Sequence, residues 1–213
     1  MGGTGHEVSV TDVDPLPGAR RLRGEDRRTV LLDAAAALLA EGGIEAVSMD
    51  AVAVRAGVSR PLVYKHFTNR DDLLAAVLRR EASGVEAAVV AAVEDAEGFE
   101  DKIRALIRAV LDAVGTHGAI FAPLMRAGVR DAAYRQEQRA RDRRTVRFFA
   151  RLAMDELDID QAKATAAMAV LLNGIESVRA QWRSRPTPEY RQFLEDLYVD
   201  LVVGGLGRLS RRP

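Results

Sequence analysis

SMDAVAVRAGVSRPLVYKHFTNRDDLL, residues 48–74, decides how this chain is read. It parses as two short helices joined by a tight turn and followed by the entry into a third. Ser48 is placed to cap the first helix, because its hydroxyl accepts from an orphan N–H of the opening turn. Val52 and Ala53, with Ala56 one turn on, share the inward side. Gly57 ends the helix, where a residue free to take positive φ is favoured, and Val58 plugs the corner. Ser59 is placed to cap the second helix, and Pro61 sits in its opening turn, where a missing N–H costs nothing. Val63 and Phe67 lie four apart on one face, which the pattern predicts to be buried. Pro61, Leu62 and Lys65 fall on another. Asn69 is placed to cap the third helix, whose Asp71 and Asp72 suit the positive end of its dipole.

Helix, Gly-containing turn, helix is the helix-turn-helix plan. A helix that enters a major groove needs a short, basic, hydrogen-bonding outer face. Ser59, Arg60, Tyr64, Lys65 and His66 supply one. A plain helical hairpin with surface charges has the same spacing, so spacing alone leaves both open.

The letters narrow the choice. AGVSRPLVYKHFTNRDDLL closely resembles the DNA-binding segment of the TetR family of transcriptional regulators. The family pattern is roughly A-G-V-S, three free positions, an apolar residue, Y-x-H-F, two free positions, then basic, acidic, x, L. The chain meets it at Ala56, Gly57, Val58, Ser59, Val63, Tyr64, His66, Phe67, Arg70, Asp71 and Leu73. It departs at Pro61 and Leu62, where the family often has Gly and Thr, and at Arg70, where Lys is commonest. These departures leave DNA binding as the expectation and the operator sequence unreadable. The detailed resemblance covers roughly residues 27–80; beyond it only the helical layout matches.

The resemblance implies an all-α fold. A flexible basic-ended arm (1–24) precedes a three-helix DNA-binding unit (25–69), which leads into a larger helical ligand-binding and dimerisation domain (70–213). It implies a homodimeric regulator acting on a double-stranded DNA operator and answering to a small-molecule effector. Residues expected at the DNA are Ser48, Ser59, Arg60, Pro61, Leu62, Tyr64, Lys65, His66 and Arg70. Of these, Leu62 and Lys65 are placed near base edges, with Ser48, Tyr64 and Arg70 on phosphates.

Composition sets the outer bounds. A chain of 213 residues holds one large or two small domains, and its 48% hydrophobic content is ample for a core. Acids and bases balance at 31 each, so positive charge for DNA has to be concentrated locally. The absence of cysteine excludes a disulfide scaffold and thiolate metal sites. No apolar run approaches a membrane span and no signal peptide is visible, so a soluble cytoplasmic protein without membrane contact is expected. His6, His66 and His117 form no metal-ligand spacing, and no phosphate loop, dinucleotide fingerprint or nucleophile elbow appears. Neither a cofactor, a metal nor an enzyme is expected.

The flanks read as helices of graded polarity. Residues 1–24 show no helical period and end with Arg20, Arg21 and Arg23, either a solvated tail or an arm along the DNA. Val30, Leu31, Ala34, Ala35, Leu38 and Leu39 mark a helix from Glu25 to Glu41, stopped by Gly42 and Gly43. A long helix from Arg70 into the 90s begins in the DNA-binding unit and ends in the next, and is thus placed to link them. Asp101–Val114 is strongly amphipathic; Gly115, Gly118 and Pro123 are expected to break it. Asp131 to about Leu157 is helical and very basic, a second nucleic-acid surface or a solvated face. Ala162–Trp182 is apolar nearly all round, and Glu189 to about Gly204 carries a wide Phe/Leu/Tyr stripe. Such helices suit a bundle completed by a second copy, through residues 162–206.

The broken segment around His117–Met125 is where a cavity is expected. His117, Phe121, Met125, Tyr134, Phe149, Met168, Leu172, Asn173, Glu176 and Trp182 are its candidate lining, with His117, Asn173 and Glu176 as polar anchors. The functional expectation is a repressor released from a palindromic operator by an apolar or amphipathic molecule. The alternative is a helical binding or scaffold protein whose motif only packs.

Overall fold

The computed structural model describes residues 24–128 and 132–210. Within them the chain is all helix: α1 (Gly24–Gly42), a 3-10 turn (Ile44–Ala46), α2 (Met49–Ala56), α3 (Arg60–His66), α4 (Arg70–Asp95), α5 (Gly98–Arg126), α6 (Ala132–Leu157), α7 (Gln161–Ser184) and α8 (Pro188–Ser210). The arm, Gly24 apart, lies outside the described residues, as does Asp131.

Local chemistry sets the boundaries around the motif. Ser48 Oγ accepts from Ala51 N at 3.0 Å, closing the first turn of α2. Gly57 takes φ 65°, the left-handed value that lets the chain leave α2 without a Cβ clash. Asn69 Oδ1 accepts from Asp72 N at 2.9 Å, and Asp72 Oδ2 in return accepts from Thr68 N at 2.9 Å. Ser59 stands at the N-cap of α3 but makes no side-chain cap bond. The cap expected of it is absent, and the residue is exposed to solvent.

Two apolar cores follow. The first joins Leu31, Leu32, Ala35 and Leu39 of α1 to Val47, Val52, Val63 and Phe67, and takes in Leu73, Leu74, Val77 and Leu78 from the start of α4. It also holds Leu124, from the far end of α5, with Ile120 and Phe121 packed beside it. The second fills the helices beyond: Ile103, Ile107 and Leu111 of α5, Phe149 and Ala153 of α6, Met168 of α7, and Tyr198, Val202 and Leu206 of α8. Both α4 and α5 therefore run between the unit built on α1–α3 and the larger bundle.

Three expectations about the bundle fail. First, α5 is one unbroken helix of 29 residues, with Gly115 and Gly118 within it and Pro123 three residues from its end. Glycine costs about 1 kcal/mol in a helix, less than the burial of Ile103, Ile107, Leu111 and Leu124 returns. Second, α5 has the length and apolar composition of a membrane span. In the fold it packs against α1, α4, α6, α7 and α8. Third, α8 continues past Gly204, Gly205 and Gly207 to Ser210, carried by the burial of Val202 and Leu206.

A charged seam joins α5 to α8. Glu195 is buried, with its Oε1 2.6 Å from Arg108 Nη2 and 3.9 Å from Arg104 Nη1. Arg104 also meets Asp196 at 2.7 Å, and Arg191 of α8 meets Asp112 at 2.8 Å. Tyr198 adds a hydrogen bond from its hydroxyl to Leu171 O at 3.0 Å, tying α8 to α7. Burial holds the Tyr198 phenol above its ordinary pKa, so it stays a donor.

Candidate nucleic-acid interface and sensor interior

The face of α3 is built from its back. Val63 and Phe67 are fully buried and pin the helix to α1, α2 and α4. Arg28 of α1 lies over the Phe67 ring, 4.9 Å from its centroid. With that side fixed, Ser59, Arg60, Pro61, Tyr64 and Lys65 are exposed, while Leu62 and His66 are half-buried at the flanks. Arg60 does not stand free. Its Nε meets Asp50 Oδ1 at 2.8 Å, its Nη2 reaches the Tyr64 hydroxyl at 3.4 Å, and its guanidinium lies over the Tyr64 ring. The hydrogen bond to Tyr64, then the charge of Asp50, raise the pKa of Arg60. Both partners in the ion pair are well exposed, and water and salt leave such pairs weak. Arg60 is thus free to exchange Asp50 for a phosphate. Asp50 carries no signal in the sequence beyond its place in the first turn of α2.

Arg70 is engaged within the protein. The motif places it at a phosphate, but its Nε donates to Val47 O at 2.7 Å and its Nη2 to Ile44 O. Half-buried, it fastens the 3-10 turn to α4. Ile44 O also accepts from Val47 N at 3.3 Å, and the planar guanidinium adds donors to it and to Val47 O at once. Ser48 is exposed and accepts its cap bond through the same oxygen that would donate to a phosphate.

The candidate ligand residues divide between the two cores. His117, Phe121 and Tyr134 are half-buried, with Phe121 and Tyr134 against the first core. Phe149 and Met168 lie within the second, and Leu172 and Trp182 pack against it. Three do not belong inside. Met125 is 59% exposed. Asn173 and Glu176 lie on the solvent face of α7, where Asn173 Nδ2 donates back to Ala169 O at 2.7 Å and Glu176 pairs with Arg179 and Arg183, each at 3.2 Å. An apolar helix is expected to bury its few polar residues, but Ala164 and Met168 set the buried line and these two point away from it. The expected break in α5 is absent, and with it the reason for a cavity at 117–125. A concavity of about 540 Å³ does exist on the outer face of α6, but Ala132, Arg135, Gln136, Arg139 and Arg143 line it, so it is open and basic.

Charged side chains tie these helices together. His117 Nδ1 lies 3.0 Å from Glu81 Oε2. Glu81 Oε1 accepts from Arg80 Nη2 at 2.9 Å, and Arg80 Nη1 donates to Asp33 Oδ1 at 2.7 Å. This chain of contacts runs from α5 through α4 to α1, from the larger bundle into the DNA-binding unit. Farther along α4, Glu86 meets Arg141 at 2.8 Å and Arg144 at 3.2 Å, both on α6. Of these residues only His117 stands out in the sequence. Apart from the neighbours Arg80 and Glu81, the contacts span dozens of residues, and sequence spacing has no signal for that.

Comparison with known proteins agrees with this architecture. Residues 31–77 match the family model described as bacterial regulatory proteins, tetR family. The chain is 36% identical over 101 residues to the HTH-type transcriptional activator FasR of Mycolicibacterium smegmatis, covering 46% of each chain. It is 44% identical over 62 residues to the HTH-type transcriptional repressor KstR of Mycobacterium tuberculosis, covering 29% of this chain and 28% of that one. It thus matches less than half the length of either relative. A TetR-like transcriptional regulator from Rhodococcus sp. RHA1 superposes with a TM-score of 0.65 at 25% identity, covering 87% of this chain and 98% of that structure. The cap, turn and buried anchors of α2 and α3 thus lie in the same stretch that matches the tetR family of bacterial regulatory proteins.

Proposed function

We propose that this protein is a homodimeric, ligand-responsive regulator that binds a palindromic DNA operator through α3 and is released by a small apolar or amphipathic molecule. The observation that carries the DNA reading is the outward set Ser59, Arg60, Pro61, Tyr64 and Lys65 on a short helix locked from behind by Val63 and Phe67. A rigid back and a polar, basic front are what a major-groove helix requires. Residues 25–69 serve as the DNA-binding unit and 70–213 as the ligand and dimerisation domain, acting in the cytoplasm where the operator is. The two relatives described above differ in sign, activator against repressor. The repressor reading follows the relative that is 44% identical over 62 residues rather than the one that is 36% identical over 101.

The dimer reading rests on what α7 and α8 leave uncovered. Val170, Phe193, Leu197 and Leu201 are 73, 54, 40 and 59% exposed, all on these two helices. Exposed apolar side chains grouped in this way mark an interface, and two modules on a two-fold axis are what a palindrome needs.

A gel shift on the DNA immediately upstream of the protein's own gene tests the function. A discrete shifted species is expected, and Tyr64→Phe is expected to weaken it on every sequence alike. A ligand that lowers operator affinity binds more weakly, by the same factor, to the DNA complex. No specific shift on any upstream fragment, with the dimer intact, would defeat the reading in favour of a packing-only motif.

A further inference from the structure

Two hydrogen-bond donors on half-buried side chains of α7, Trp182 Nε1 and Arg179 Nε, are shielded from solvent and lack an acceptor among the described residues. They lie three apart on α7, hence on one face and one turn from each other. Buried N–H groups are almost always paired, so two together on one face call for an oxygen that the chain does not supply. Arg141 Nε, shielded as well, differs from them in having Glu86 Oε2 2.8 Å away, though out of line for a hydrogen bond.

Their surroundings fit a ligand head group rather than a structural bond. The Trp182 ring rests on bare backbone of α5: a Cβ placed at Gly115 would lie 3.4 Å from Trp182 Cη2. Trp182 and Leu172 pack on the second core, while Tyr134 and Phe121 pack on the first, so the donors sit at the seam between two apolar clusters. Burial raises the pKa of Tyr134; the positive charges of Arg141 and Arg179 oppose that rise and the negative charges of Asp142 and Glu176 add to it, so both guanidinium groups act at this seam with two carboxylates in reach. Two of the acids nearby are engaged. Glu86 is paired with Arg141 and Arg144, and Glu176 reaches Arg179 and Arg183 from the solvent side.

We propose that Trp182 Nε1 and Arg179 Nε, beside Tyr134 and Arg141, form the head-group subsite for the effector, and that the effector is an amphipathic anion: an apolar body ending in a carboxylate or phosphate. This rests on the ligand-responsive reading given above and replaces Asn173 and Glu176 as its polar anchors. An oxyanion takes both donors at once and is drawn by the two guanidinium groups. Its apolar body lies along the seam.

Trp182 is the only tryptophan in the chain, so its emission reports on the subsite directly. The full-length protein is titrated with decanoate, decyl phosphate and decanol. Saturable changes in emission are expected with one or both anions, which bind at least about tenfold tighter than decanol, the difference expected from one or two charge-assisted hydrogen bonds. Which anion binds tighter tells carboxylate from phosphate. Arg179→Met removes the donors and keeps the aliphatic stem. It is expected to bring the anions down to the affinity of decanol while leaving decanol unchanged. Arg179→Lys, which keeps the charge but not the Nε–H, is expected to lie between and serves alone if the methionine variant does not fold. Trp182→Phe keeps the ring on Gly115 and, read by thermal shift, is expected to lose anion-dependent stabilisation. Decanol binding as tightly as the anions, anion affinity untouched by both Arg179 variants, or no saturable binding of any of the three would overturn the subsite. Anion binding at Trp182 that leaves operator affinity unchanged would support the subsite and overturn the sensor reading instead.

Discussion

Arg70 and Lys65 are both cations close to α3, yet their loss should register in different measurements. Arg70 donates to two carbonyls of the 44–47 turn and is half-buried. Hydrogen bonds from charged groups contribute roughly 1.5–3 kcal/mol each. Arg70→Met is therefore expected to lower the stability of the free protein by about 2 kcal/mol or more, seen in a denaturant melt without DNA. A melt unchanged by the substitution would return Arg70 to the phosphate role. Lys65 is exposed and has no ion pair among the described residues. Lys65→Ala should leave the melt alone, change operator preference, and reduce the salt slope by about one unit at most. Binding data indistinguishable from wild type across a set of operator variants would show that Lys65 stays clear of the bases. Tyr198 offers a third single-residue test. Its hydroxyl is bonded to Leu171 O, so Tyr198→Phe removes that tie between α8 and α7 and should cost about 1 kcal/mol in stability.

Between elements, the contact chain Asp33–Arg80–Glu81–His117 is the feature with a functional consequence. It joins α1, α4 and α5, and Glu81 is central because each of its oxygens holds a different partner. Arg80→Met cuts it at the DNA-binding unit, and Glu81→Gln weakens it toward α5. Substitutions along a coupled path change coupling by about 0.5–2 kcal/mol. Both variants are expected to remain folded dimers, to bind the operator more weakly, and to tolerate half-sites moved one base pair apart better than wild type does. Unaltered spacing preference would reduce the chain to an ordinary surface-to-core tie. None of this is legible in the sequence, whereas the motif is. Ser48, Gly57, Asn69, Val63 and Phe67 act within a turn or two of themselves, so their letters carry their roles. The unbroken course of α5 is hidden because Gly115, Gly118 and Pro123 argue locally for a break that tertiary burial overrides. The candidate anchors are misplaced for a similar reason. The apolar letters of α7 give no sign of which side the second core covers, and Asn173 and Glu176 fall on the other.

At the scale of the whole molecule, one protomer is unfinished along α7 and α8. The inner face of α8 is committed: Leu194, Tyr198, Val202 and Leu206 are buried, and Glu195 is locked to Arg108. The outer face carries Phe193, Leu197 and Leu201, and beyond them Gly204 and Gly205, exposed and small enough for another helix to approach closely. Val170 extends the same uncovered surface onto α7. A second copy meeting this face about a two-fold axis buries the same residues on both sides and closes the assembly. In the proposed dimer it would also fix the separation of the two α3 helices and so link dimerisation to operator recognition. Leu201→Glu places a charge where the partner's apolar side chains should pack, and burying an unpaired carboxylate costs several kcal/mol. Since Leu201 is exposed in the protomer, the substitution should leave the fold of each chain intact. The expected result is a folded monomer in sedimentation at micromolar concentration that binds a full palindrome no better than a half-site. A wild-type chain that sediments as a monomer under the same conditions would remove the dimer from the proposal and leave the exposed face without an occupant.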